Sequence, residues 1–98
     1  MLLENPQLTL EKLNKIEAKI ENNSADINDY KELDIFLSQF DLQNYIQSKL
    51  YENGFSNYQE FINYRNKPIF QRSLTFEENI VLEIIKQCIT LLKRKLTV

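Results

Sequence analysis

Carboxylates are the only side chains in this sequence that pair at spacings suited to acid–base or metal chemistry: Glu77 with Glu78, and Asp26 with Asp29. Histidine, which supplies most general bases and many metal ligands, is absent. Adjacent residues on a helix diverge by about 100°, so Glu77 and Glu78 do not converge on one substrate atom, and both stand where a helix start favours acids. Asp26 and Asp29 also fall near a helix start, with no further ligands at calcium-loop spacing. Ser24, Ser38, Ser48, Ser56 and Ser73 have no histidine to activate them, and neither a lysine nor Cys88 stands in a nucleophile motif. The chain of 98 residues holds one glycine, Gly54, so glycine-rich phosphate cradles, dinucleotide fingerprints and nucleophile elbows cannot be built. These residues predict a protein that is not an enzyme and carries no catalytic, metal or cofactor site.

The elements that must position these residues read as helices. Thr9 is placed to cap a helix from Leu10 to Asn22, with Leu10, Leu13, Ile16 and Ile20 on one side. Ser24 or Asp26 caps a second, on which Ile27, Tyr30, Leu33, Leu37 and Phe40 form the apolar stripe with Phe36 beside it. The short break between the two favours an antiparallel hairpin. Asp41 is the expected N-cap of a third helix, Leu42 to Glu52, with Leu42, Tyr45, Ile46 and Leu50 at helical spacing. Gly54 stands where a left-handed terminating residue belongs, and Phe55 behind it is placed to reach Leu50 as a Schellman ending requires. Ser56 and Gln59 have capping-box spacing for a fourth helix through Arg65, carrying Tyr58, Phe61, Ile62 and Tyr64. Pro68 breaks the chain, so residues 66 to 73 read as a loop with Ile69 and Phe70 tucked inward. Thr75 and Glu78 suggest a second capping box, opening the longest helix, about Phe76 to Lys95. Ile80, Val81, Leu82, Ile84, Ile85, Cys88, Ile89, Leu91 and Leu92 cover more than half of it, which predicts the central position.

The expectation is an all-α compact bundle of four to five short helices, a single helical domain over residues 1–98. At 11.7 kDa, a chain buries roughly two thirds of its surface in one core. A hydrophobic content of 43% with 27% charged residues is that of a soluble globular protein rather than a disordered one. Cys88, alone and within an apolar run, reads as a buried small hydrophobe.

Aromatic crowding is the feature left over. Of the eleven aromatic residues, ten fall between Phe36 and Phe76. Tyrosine combines contact area with a wet hydroxyl and is enriched in interfaces, so Tyr51, Phe55, Tyr58 and Tyr64 around the Gly54 turn are the candidate partner-binding residues. The function expected is a small non-catalytic protein that binds another protein, as inhibitor, adaptor or regulatory subunit. A homodimer is a third use of the same aromatics.

Two resemblances offer alternatives. Gly54, Phe55, Ser56 and then Phe61 look like the turn and following helix of helix-turn-helix regulators, including the arabinose-regulator type. That resemblance implies DNA binding through residues 42 to 65, with Asn57, Gln59, Asn63 and Arg65 reading base edges. It departs at Leu50, where the motif has a small residue. The stretch Leu74, Thr75, Phe76, Glu77, Glu78, Asn79 is similar to one in small helical bacteriocin immunity proteins, which implies an antiparallel four-helix bundle.

Charge is unevenly laid out within a net of -2. Residues 1 to 41 carry nine acids against Lys12, Lys15, Lys19 and Lys31, whereas residues 42 to 98 carry five acids against eight bases. This reads as two faces that attract within one bundle; the bases are too dilute for a nucleic-acid stripe. Met1, Leu2 and Leu3 run straight into Glu4, unlike a signal peptide, and Glu83, Lys86 and Gln87 interrupt the longest apolar region, so a cytoplasmic protein without a membrane partner is expected.

Overall fold

In the computed structural model, which describes residues 5 to 97, five α-helices follow one another without a strand among the described residues. They are α1 Pro6–Glu21, α2 Ile27–Leu37, α3 Leu42–Glu52, α4 Tyr58–Arg65 and α5 Thr75–Thr97. Residues Met1 to Glu4, on which the expectation about a signal peptide rests, lie outside the described residues.

The first helix begins earlier than Thr9 predicts. Asn5 is the N-cap, its side chain accepting from the Leu8 N–H at 3.1 Å, and Pro6 takes the first helical position, where its fixed φ fits and its missing N–H leaves nothing unpaired. Thr9 is therefore inside α1 and buried, with its hydroxyl donating back to the Asn5 carbonyl. Asp26 caps α2 by a reciprocal box in which Asp29 N–H reaches Asp26 at 3.0 Å and Asp26 N–H reaches Asp29 at 2.9 Å. The Asp29 N–H bond to the Asp26 carboxylate is the largest cause of that carboxyl's being held below its ordinary range.

Turns in this glycine-poor chain depend on three left-handed residues among those described, Asn23, Asp41 and Gly54, at φ of 56°, 57° and 92°. Asn23 ends α1 as glycine would: its N–H donates to the Ile20 carbonyl at 3.2 Å, and that of Ser24 to the Lys19 carbonyl at 2.8 Å, a Schellman pair. Asp41 follows a 3-10 turn, Ser38–Phe40, and stands at the start of α3 without the expected side-chain cap, because its left-handed backbone serves the bend instead.

The long helix is central, since α1, α2 and α3 all pack on α5. Its Val81, Ile85, Cys88, Ile89 and Leu92 meet Leu13, Ile16 and Ile20 of α1, Tyr30, Leu33, Phe36 and Leu37 of α2, and Ile46 and Leu50 of α3 in one buried cluster. Glu17 with Lys93 at 2.7 Å and Glu21 with Lys86 at 3.2 Å show α1 and α5 running antiparallel. These pairs join the acidic first half to the basic second half. Cys88 is buried, and burial pushes its thiol upward. Among the described residues, no helix is long and apolar enough to cross a membrane.

Candidate functional site

The Gly54 turn forms as the sequence predicts. Phe55 N–H donates to the Leu50 carbonyl at 2.9 Å and Gly54 N–H to that of Tyr51 at 3.1 Å, the two bonds of a Schellman ending. A Cβ at Gly54 would meet only the Leu74 side chain at 3.6 Å, an ordinary contact, so the need for glycine comes from its φ of 92°. The next helix begins one residue later than expected. Asn57 accepts from the Glu60 N–H at 2.9 Å, and Glu60 reaches back to the Ser56 N–H at 3.0 Å.

Three of the four candidate binding aromatics face inward. Phe55, Tyr58 and Tyr64 are buried with Phe61 and Tyr30, and only Tyr51, on the last turn of α3, is exposed, at 78%. Tyr58 stacks on Tyr30 with centroids 4.8 Å apart, while Phe55 meets Phe61 and Tyr64 edge-on at 5.2 and 5.4 Å. The tyrosines can be buried because each hydroxyl has a partner. Tyr58 donates to Asp34 at 2.7 Å, and Tyr64 accepts from the Leu74 N–H, securing the start of α5. Burial raises Tyr30 to about 12 and raises Tyr58 and Asp34 as well.

Leu8, Ile35, Tyr45 and Leu91 are exposed singly on the helices, and three further exposed apolar side chains lie between the end of α4 and the first turn of α5. Ile69 and Phe70, expected inside, form a 3-10 turn, Ile69–Gln71, and stand 65% and 83% exposed. Phe76, in the first turn of α5, is 73% exposed. Its exposure was legible in spacing: Glu78, Val81, Ile85, Cys88, Ile89 and Leu92 follow the buried face of α5, and Phe76 shares the opposite face with Glu83, Gln87 and Arg94. Nothing in the sequence turns Ile69 and Phe70 outward, since a short loop has no periodicity to read. Beside them is a shallow groove of about 240 Å³, lined by Gly54, Phe55, Glu60, Asn63, Tyr64, Lys67 and Leu74. Lys67 and Leu74 flank the loop, so both ends of the segment that presents Ile69 and Phe70 form walls of this groove. The Lys67 ammonium sits 5.8 Å from the Tyr64 ring centre.

The four residues expected to read bases do not act together. Asn57 is engaged as the α4 cap, and Gln59 and Asn63 bond each other at 2.9 Å on the solvent face. Arg65 points inward and joins four elements. It donates to the Ile20 carbonyl at 2.8 Å, bonds the Tyr30 hydroxyl, covers the Phe61 ring at 5.8 Å and lies 3.7 Å from Glu78. A cation at the C-terminal carbonyls of α1 is favoured by the helix dipole. Asn23 returns the tie, its amide donating to the Arg65 carbonyl at 3.0 Å.

Three of the four paired carboxylates are likewise taken up by structure. Glu78 is buried, and instead of completing a capping box with Thr75 it accepts from Arg72 at 2.8 Å beside Arg65, while Asp26 and Asp29 cap α2. No group of three or more metal-ligating side chains occurs among the described residues. No family model, no curated protein and no solved structure matches the chain.

Proposed function

We propose that this chain is a small non-catalytic protein that binds another polypeptide through the apolar segment Ile69 to Phe76 and the groove beside it, serving as an inhibitor, adaptor or regulatory subunit. The observation that carries the reading is the exposure of Ile69, Phe70 and Phe76 within eight residues of one another, while chemically equivalent aromatics a helix away are buried. The largest apolar patch on a folded monomer is often functional, and the exposure of three bulky apolar side chains in one short segment makes this segment the candidate. Tyr51, one of the four aromatics that the sequence marks for partner binding, is the exposed member on the other side of Gly54.

Co-purification of the tagged chain from its own cells tests this. The wild type should retain a partner that the double variant Phe70→Asp, Phe76→Asp loses while its thermal midpoint is unchanged; equal recovery by both would refute the assignment.

A further inference from the structure

We infer that the occupant of this surface is a second copy of the chain, placed by a two-fold axis so that Phe70 of each copy enters the groove of the other. The inference rests on the binding role proposed above and names the partner.

Self-complementarity is the first argument. A two-fold interface pairs one patch with itself, so the patch must carry both the protruding group and its receptor. This one does: Phe70 projects from the middle of a loop whose two ends, Lys67 and Leu74, are walls of the groove. The groove volume of about 240 Å³ exceeds the roughly 150 Å³ of an apolar cavity known to admit a benzene ring. Phe55, Tyr64 and Leu74 supply an apolar lining, and the edges of the two buried rings suit a third aromatic.

Charge is the second argument. Glu60 and Lys67 both line the groove. Opposite signs on one patch match themselves under a two-fold axis, Glu60 meeting Lys67 of the other copy twice over. A strongly acidic or basic partner would find no such match.

Area is the third. Aromatic side chains bury about 150–250 Å² each, so two largely exposed phenylalanines and Ile69 offer roughly 400 Å² of apolar surface per copy. Interfaces are about 60% apolar, which scales this to roughly 700 Å² per copy, close to the ~800 Å² of a standard interface.

Sedimentation equilibrium across micromolar to millimolar concentrations decides the matter. The wild type should approach twice the 11.7 kDa monomer mass. Phe70→Asp should raise the dimer dissociation constant by roughly 30-fold or more, while its thermal midpoint matches the wild type's at dilutions where both are monomers. Lys67→Glu should weaken the dimer about tenfold. Leu91→Asp, on α5 away from the groove, should leave the mass unchanged. A monomer at every concentration overturns the inference, and so does a dimer indifferent to Phe70→Asp. In the monomer case, capture of a different chain that the Phe70 and Phe76 substitutions abolish keeps the binding role, whereas capture they leave intact removes both.

Discussion

Tyr58, Phe61 and Tyr64 on α4 are separated by only a few residues from Phe70 and Phe76, yet the first three line the core and the other two face solvent. Hydrophobicity does not distinguish the groups. Register and partners do. On α4, Tyr58, Phe61, Ile62 and Tyr64 turn inward together; the Tyr58 hydroxyl donates to Asp34 on α2, and the Tyr64 hydroxyl accepts from the Leu74 N–H just before α5. Phe76 is half a turn off the buried face of α5, and Phe70 sits in a 3-10 turn that no neighbouring helix covers. An aromatic band is thus half scaffold and half surface.

The largest expected break in that contrast is Phe61→Ala. Phe61 is fully buried at the centre of the ring cluster, so its loss should cost about 3–5 kcal/mol by urea unfolding. Alkaline pH should attack the same cluster. Tyr30 keeps its proton in the fold to about pH 12 rather than its ordinary 10.0, so its stabilisation is complete below pH 10.0 and is lost as pH rises to about 12. That loss amounts to roughly 3 kcal/mol, which thermal midpoints measured against pH would follow; an unchanged midpoint across the window would contradict the burial. Arg65→Met should cost roughly 2 kcal/mol, because Arg72 still pairs Glu78 while the Ile20 carbonyl and Tyr30 lose their donor. Gly54→Ala should cost about 1 kcal/mol through its backbone alone. Phe70→Ala should stay within about 0.5 kcal/mol of the wild type, and a larger loss would place Phe70 with the core group.

Much of the fold is legible in the residues. Helical spacing locates the elements, the Gly54 ending is readable down to its Leu50 contact, and the length and apolar cover of α5 predict its central place. The misreadings have physical causes. Asn23 ends α1 in the left-handed role that composition assigns to glycine, and Asn5 with Pro6 outcompetes Thr9 as a start. Glu78 has the spacing of a capping residue, but two arginines from elsewhere in the chain claim it. The candidate site is the least legible part, because tyrosine's amphipathic chemistry fits an interface and a core with polar partners equally well. Only the three-dimensional position of Asp34 and of the Leu74 amide separates these fates.

The Arg65 tie also bears on the order in which the chain assembles. Its guanidinium bonds a carbonyl 45 residues earlier, at the end of the first helix. Emerging from a ribosome at about 5–20 residues per second, the α1–α2 hairpin can pair from local contacts as soon as it is made. Its end nevertheless stays open to water until α4 follows, and the carboxylate of Glu78 arrives later still. The N-terminal half is thus synthesised first and locked last, and its apolar face stays open to water in the interval.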